Sequence, residues 1–195
     1  MRARLLLLLL AGCPKKAALE AALEGTEPTV VPTVGPCPDA GTLLGAAPPA
    51  GTTLWCALRG TSTDWVRHGT EWTWYSTGVP HTITSWDHGR QVGHAWTWRE
   101  DGSLEHEGDF LDGAESGYWM HYAEDGMILA EGPMFAGVRH GIWILRDPIG
   151  VWNEGSYVSG QADGRWVEHG ADGAELRERI WRMGRMVSQR ELGGQ

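Results

Sequence analysis

The residues of this chain that could do chemistry are three cysteines (Cys13, Cys37, Cys56), eight histidines and several adjacent carboxylate pairs. His81, His88 and His94 fall within one predicted hairpin, and His106 and His121 within the next two strands. No His-x-x-x-His, Glu-linked helical pair or Cys-x-x-Cys occurs, so the spacing points to no metal site. His68 and His140 each sit in Arg-His-Gly at a repeat junction, which reads as turn chemistry. A serine nucleophile would need something like Gly-x-Ser-x-Gly, which is missing. Glu100-Asp101 and Glu124-Asp125 stand beside glycine in a repeated turn, a poor setting for an acid–base pair. The residues therefore predict no catalytic group and no cofactor.

The aromatic side chains are better functional candidates. Twelve tryptophans accompany only two phenylalanines. Trp72, Trp74, Trp96, Trp98, Met120 and Tyr122 share strand parity in adjacent repeats and are expected to form one patch. An exposed patch of this kind suits a protein, peptide or glycan partner. The alternative is that these rings pack on one another and on the segment around Cys37 and Cys56 as core.

The elements that must position them follow from glycine. One series, Gly69, Gly93, Gly117, Gly141 and Gly164, is spaced 24, 24, 24 and 23 residues apart. Two more, Gly78 to Gly173 and Gly89 to Gly184, keep the same period in different phase. Three phased series define an array of five repeats. Asp-Gly pairs at 101–102, 125–126 and 172–173 suit hairpin turns, and Asp112-Gly113 and Ser159-Gly160 punctuate the far end. Leu104 to Phe110 alternates apolar and acidic residues with period two, the pattern of a half-buried strand. The expected fold is all-β: an antiparallel hairpin meander of about five repeats and about ten strands. Two side-chain columns keep the period: Trp86, Phe110, Met134, Tyr157, Trp181; and Trp74, Trp98, Tyr122, Arg146, His169. Gly108, Gly132 and Gly155 each follow a glutamate, leaving room for a cross-strand ring over the backbone.

Gly117-Tyr-Trp119 with Tyr122 and Gly126, then Glu131-Gly132, Phe135 and Gly137, carry a family resemblance, repeated by Gly141-Ile-Trp143, Gly150, Glu154-Gly155, Tyr157 and Gly160. These residues resemble MORN-type repeats, in the variant common in bacteria and often labelled the YwqK-like antitoxin family. The last copy keeps Gly164-Arg-Trp166 and Asp172-Gly173 but has Arg179 near the Glu-Gly position. The first two copies read Gly-x-x-Trp (Gly69 to Trp72, Gly93 to Trp96), which moves an aromatic to the other face unless a bulge restores it. The resemblance implies a hairpin meander with a binding or scaffolding role and no active site.

The N-terminus has two arginines, leucine from Leu5 to Leu10, then Ala11-Gly12-Cys13. That is the layout of a signal peptide, with too few apolar residues to span a bilayer about 30 Å thick. Leu10-Ala11-Gly12-Cys13 resembles a bacterial lipobox, which implies cleavage before Cys13 and lipidation of its thiol. The alternative is an ordinary secretory signal cut near Ala11 or Gly12. With Cys13 lipidated, Cys37 and Cys56 remain, and a pair is what export favours; two free thiols are the alternative. The domains expected are a signal peptide (1–12), a lipidated flexible tether (13–36), a disulfide-linked cap (37–66), repeats (67–187) and a tail (188–195).

The formal charge of -9 repels nucleic acid, which is not an expected partner. The expected protein is a non-enzymatic lipoprotein of the cell envelope, held to the membrane through Cys13 and binding a protein or glycan. Pro14 after Cys13 is compatible with sorting to an outer membrane. An antitoxin- or immunity-like protein and a structural spacer are the competing expectations.

Overall fold

A computed structural model describes residues 36–60 and 64–193. The predicted leader, Cys13 and the tether through residue 35 lie outside the described residues, as do residues 61–63, 194 and 195.

The described residues form one open antiparallel sheet. The segment before the repeats contributes β1 (Thr42–Ala46) and β2 (Thr53–Arg59). The five repeats contribute ten strands, as expected. Repeat one holds β3 (Trp65–Trp74) and β4 (Pro80–Asp87), followed by the two-residue β5 (Arg90–Gln91). Repeat two holds β6 (Gly93–Trp98) and β7 (Leu104–Leu111), and repeat three β8 (Ala114–Tyr122) and β9 (Ile128–Phe135). After the two-residue β10 (Val138–Arg139) come β11 (Gly141–Arg146) and β12 (Trp152–Val158). The last repeat is β13 (Gln161–His169) and β14 (Glu175–Arg182), and β15 (Arg185–Glu191) closes the sheet. Successive strands pair with one another, so the sheet follows chain order, with β5 and β10 as appendages on β4 and β9. Pairing continues across residues 66/67 and 187/188, where the sequence suggested boundaries.

Two turn types alternate along the array. At one end, His88-Gly89, Asp112-Gly113, Ala136-Gly137, Ser159-Gly160 and Met183-Gly184 all have positive φ at both positions. These are type I′ turns, whose twist matches that of the strands they join. At the other end, loops such as Arg99–Ser103 make a turn that ends on a positive-φ glycine, with Gly102 N–H donating to the Arg99 carbonyl at 3.0 Å. The aspartate of the Asp-Gly pairs acts here through its side chain: Asp101, Asp125 and Asp172 each accept from the backbone N–H two residues on. The Asp-Gly pairs at 101–102, 125–126 and 172–173 therefore belong to the longer loops. The two-residue turns take almost any residue before glycine.

Residues paired across strands lie on the same face, so the registers assign every side chain to a face. On one, the glycine face, Trp119, Trp143 and Trp166 lie over the backbone. Each indole covers the glycine eleven residues earlier: Gly108, Gly132 and Gly155. A Cβ on those glycines would stand 2.2, 2.5 and 2.1 Å from the ring. Each indole also donates its Nε1 hydrogen to the carbonyl after its glycine, Asp109, Pro133 or Ser156. A ring buried this way needs no second layer: Trp143 is 0% and Trp119 2% exposed in a single sheet. Phe110, Met134 and Tyr157, from the first predicted column, fill the gaps, with Phe110 and Tyr157 meeting the indoles edge to face. The second predicted column, from Trp74 to His169, lies on the opposite face.

Candidate functional site

The first two repeats break the tryptophan-over-glycine pattern. Their tryptophan comes one residue later, and no bulge restores the phase. Glu71 and Ala95 therefore occupy the buried positions that Trp119, Trp143 and Trp166 hold elsewhere, and both are 7% exposed. Thr84 takes the place of the covered glycine eleven residues before Ala95, also at 7% exposure. A threonine and an alanine replace a glycine and a large ring.

The missing ring leaves a concavity of about 210 Å³ on the glycine face. Trp86, Phe110 and Trp119 form its aromatic walls, and Thr82, Thr84, Thr97 and Gln91 supply hydroxyl and amide groups. Glu71 lies within it, accepting from Arg67 Nε and from Trp86 Nε1, each at 2.9 Å. Arg67 stacks over the rings of Trp55 and Trp86, at 5.1 and 5.2 Å from their centroids. A carboxylate this buried needs such hydrogen-bond donors to offset its lost hydration. His106 also lines the concavity, and burial holds its pKa below the ordinary histidine value.

On the opposite face, the displaced tryptophans join a row of direct cross-strand neighbours. It runs Leu54, Trp72, Ile83, Trp96, Glu107, Met120, Glu131, Ile144, Glu154, Val167, Glu178. The first four members are apolar; from Glu107 onward, glutamates alternate with apolar residues. Trp74, Trp98 and Tyr122 flank this row on the same face. The six residues of the predicted patch thus share one face across neighbouring strands, and all six are partly exposed.

Glu107 is the polar centre of that patch. His94 Nε2 contacts one carboxylate oxygen at 3.0 Å, and the Tyr122 hydroxyl donates to the other at 2.6 Å. The His94 contact holds the Glu107 carboxyl below its usual range, while the same pairing, helped by Asp109, raises the His94 imidazole. Burial, reinforced by Glu107, pushes the Tyr122 phenol up. His94 also meets the edge of Trp96, with ring centroids 4.5 Å apart. Farther along the row the glutamates engage cations instead: Glu131 with Arg146, and Glu178 with Arg165 and Arg190. The central row passes from aromatic to ionic along the sheet, while beside its far end Trp152 stacks on His169 with ring centroids 3.7 Å apart.

Cys37 and Cys56 form a disulfide with Cα atoms 5.4 Å apart. It holds the Pro38–Ala40 turn against β3, where Pro38 would be 2.7 Å from a Cβ on Gly69. Asp39 in that turn reaches buried His68, whose other ring nitrogen faces Asp87 and His88 at the β4–β5 turn. The ligand atoms of His68, Asp87 and His88 lie within 4.8 Å of one another. Sequence spacing missed this group because His68 meets Asp87 and His88 across a hairpin, 19 and 20 residues away.

No helix among the described residues is long and apolar enough to cross a membrane. No model of a known protein family matches the chain, and no curated protein matches it significantly.

Proposed function

We propose that this chain is a non-enzymatic lipoprotein of the cell envelope, anchored through Cys13, whose first two MORN-like repeats recognise a partner protein. One observation carries the recognition role: the one-residue displacement of Trp72 and Trp96 relative to Trp119. It places indoles on a face that nothing covers among the described residues, and opens a concavity on the other face at the same end. Each of the last three repeats instead uses one tryptophan, Trp119, Trp143 or Trp166, to cover glycine, which supports a scaffold role for them. Partly exposed tryptophan and tyrosine around a held polar group, as at Glu107, suit the centre of a protein interface. The proposed anchor rests on the lipobox-like Leu10-Ala11-Gly12-Cys13, and Pro14 after Cys13 favours an outer membrane over an inner one where the cell has two.

Labelled palmitate and in-cell crosslinking with mass spectrometry test both parts. Wild type is expected to incorporate label and capture one reproducible neighbour. Cys13→Ser loses label and membrane association; Trp96→Ser with Trp98→Ser loses the neighbour while keeping the fold. Unlabelled wild type in membranes would overturn the anchor, and a neighbour retained by the double variant would overturn the recognition face.

A further inference from the structure

We propose that His68, Asp87 and His88 form a binding site for one borderline divalent transition ion, Zn2+ in the first instance. One ligand atom from each of the three side chains lies within 4.8 Å of the others. A carboxylate oxygen only accepts, so the 2.9 Å contact between His68 Nε2 and Asp39 Oδ2 puts the imidazole hydrogen on Nε2. His68 Nδ1 then presents a lone pair, which accepts from the His88 backbone N–H at 3.3 Å and faces Asp87 Oδ1 at 3.2 Å. Asp87 Oδ1 pairs in turn with His88 Nδ1 at 2.6 Å, so an ion seated between His68 Nδ1 and Asp87 Oδ1 takes the place of these two His88 contacts.

The spacing is that of two ligands on one ion. Zinc ligands bound at about 2.0–2.1 Å in a tetrahedron stand roughly 3.3 Å from each other. His68 Nδ1 and Asp87 Oδ1 already have that separation. His88 supplies the third group: its Nδ1 is 2.6 Å from the same Asp87 oxygen, and its side chain is 71% exposed and free to turn a lone-pair nitrogen inward. Two imidazoles and one carboxylate suit zinc, copper or nickel over magnesium or calcium, which prefer all-oxygen shells. Three protein ligands leave a fourth position for water or a partner's side chain.

The surroundings are those of a supported ligand. His68 is buried, so its ring cannot swing away, and the Asp39 carboxylate orients it from behind, as outer carboxylates orient metal-binding histidines. Asp39 is itself placed by the turn next to the Cys37–Cys56 bridge. The ion would join three parts of the chain: that turn through Asp39, β3 through His68, and the β4–β5 turn through Asp87 and His88. His140, in the other Arg-His-Gly, is exposed and has no such companions among the described residues, so among these the site belongs to the first repeat.

The test is Zn2+ titration of the full-length chain in detergent, against a chromogenic chelator, with Mg2+ and Ca2+ as controls. The expected result is one Zn2+ per chain and no response to Mg2+ or Ca2+. D87N and H88Q, both at exposed positions, each lose affinity at least about tenfold with unchanged circular dichroism, and H140Q binds as wild type. D39N loses about 10- to 100-fold, the range for an outer-shell partner. No stoichiometric binding at millimolar Zn2+, or binding that survives both D87N and H88Q, overturns the site. Undiminished affinity in D39N overturns the role given to Asp39.

Discussion

The indole of Trp166 lies so close over Gly155 that a Cβ on the glycine would stand 2.1 Å from the ring, while its Nε1 donates to the Ser156 carbonyl at 3.1 Å. The same pairing recurs at Trp143 and Gly132 and at Trp119 and Gly108, and explains how a single-layer sheet buries its tryptophans. Gly155→Ala forces the ring off the backbone. The expected destabilisation is about 1–3 kcal/mol, the usual range for overpacking. Urea unfolding measures it, with a shift in tryptophan emission as the ring gains water. An unchanged midpoint would show that the ring does not depend on the glycine.

The Thr84 and Ala95 pair is the exception to that rule, and the rule can be restored. Ala95→Trp alone places an indole against the buried Thr84 side chain and is expected to destabilise by about 1–3 kcal/mol. Thr84→Gly removes the obstacle. In the double variant the new indole has an acceptor in place: the Ser85 carbonyl accepts from Val92 N–H, as the Pro133 carbonyl accepts from His140 N–H beside Trp143. The cycle should show a favourable coupling of at least about 1 kcal/mol. Additive effects would mean that the concavity is not the seat of a missing ring.

Much of this was legible in the sequence. The three glycine series located the hairpins, and the Glu-Gly positions at 108, 132 and 155 announced the overlying rings. The Gly-x-x-Trp spacing flagged a change of face at Trp72 and Trp96. What the residues did not reveal was the consequence on the other side. Glu71, Thr84 and Ala95 are ordinary strand residues until the register sets them beside Trp86, Phe110 and Trp119 around a concavity. His68 and His88 stayed invisible as a pair for a related reason. Motif spacing describes neighbours along a helix or a knuckle, whereas a sheet brings together residues many positions apart.

The pairing of His94 with Glu107 makes a signed prediction about pH. His94 is raised in the folded state, so its contribution is fully present below the unfolded histidine value and is lost as pH rises through the folded one. Glu107 is lowered, so its contribution is present above the unfolded carboxyl value and is lost as pH falls through the folded one. The pair therefore stabilises most between about pH 4.5 and 6.5. The stability difference between wild type and His94→Gln should peak in that window and shrink above it. A difference independent of pH would show that the contact is not an ion pair.

The disulfide restricts a long stretch of unfolded chain, its cysteines being 19 residues apart. Replacing both Cys37 and Cys56 with alanine is expected to cost about 3 kcal/mol by loop entropy. Chemical denaturation checks the value. Loss of hydrogen-exchange protection should concentrate in β1 and β2, with β11 to β14 unaffected. Uniform loss across the sheet would mean that the bridge stabilises the whole array as one cooperative unit.

The most direct test of recognition by the first two repeats is a photocrosslinker scan along one row of the sheet. A benzophenone side chain is placed in turn at Trp72, Trp96, Ile144 and Val167, all on the same face. The prediction is one discrete adduct from intact envelopes at Trp72 and Trp96, and none at Ile144 or Val167. Equal adducts at all four positions, or adducts only at Ile144 and Val167, would contradict it.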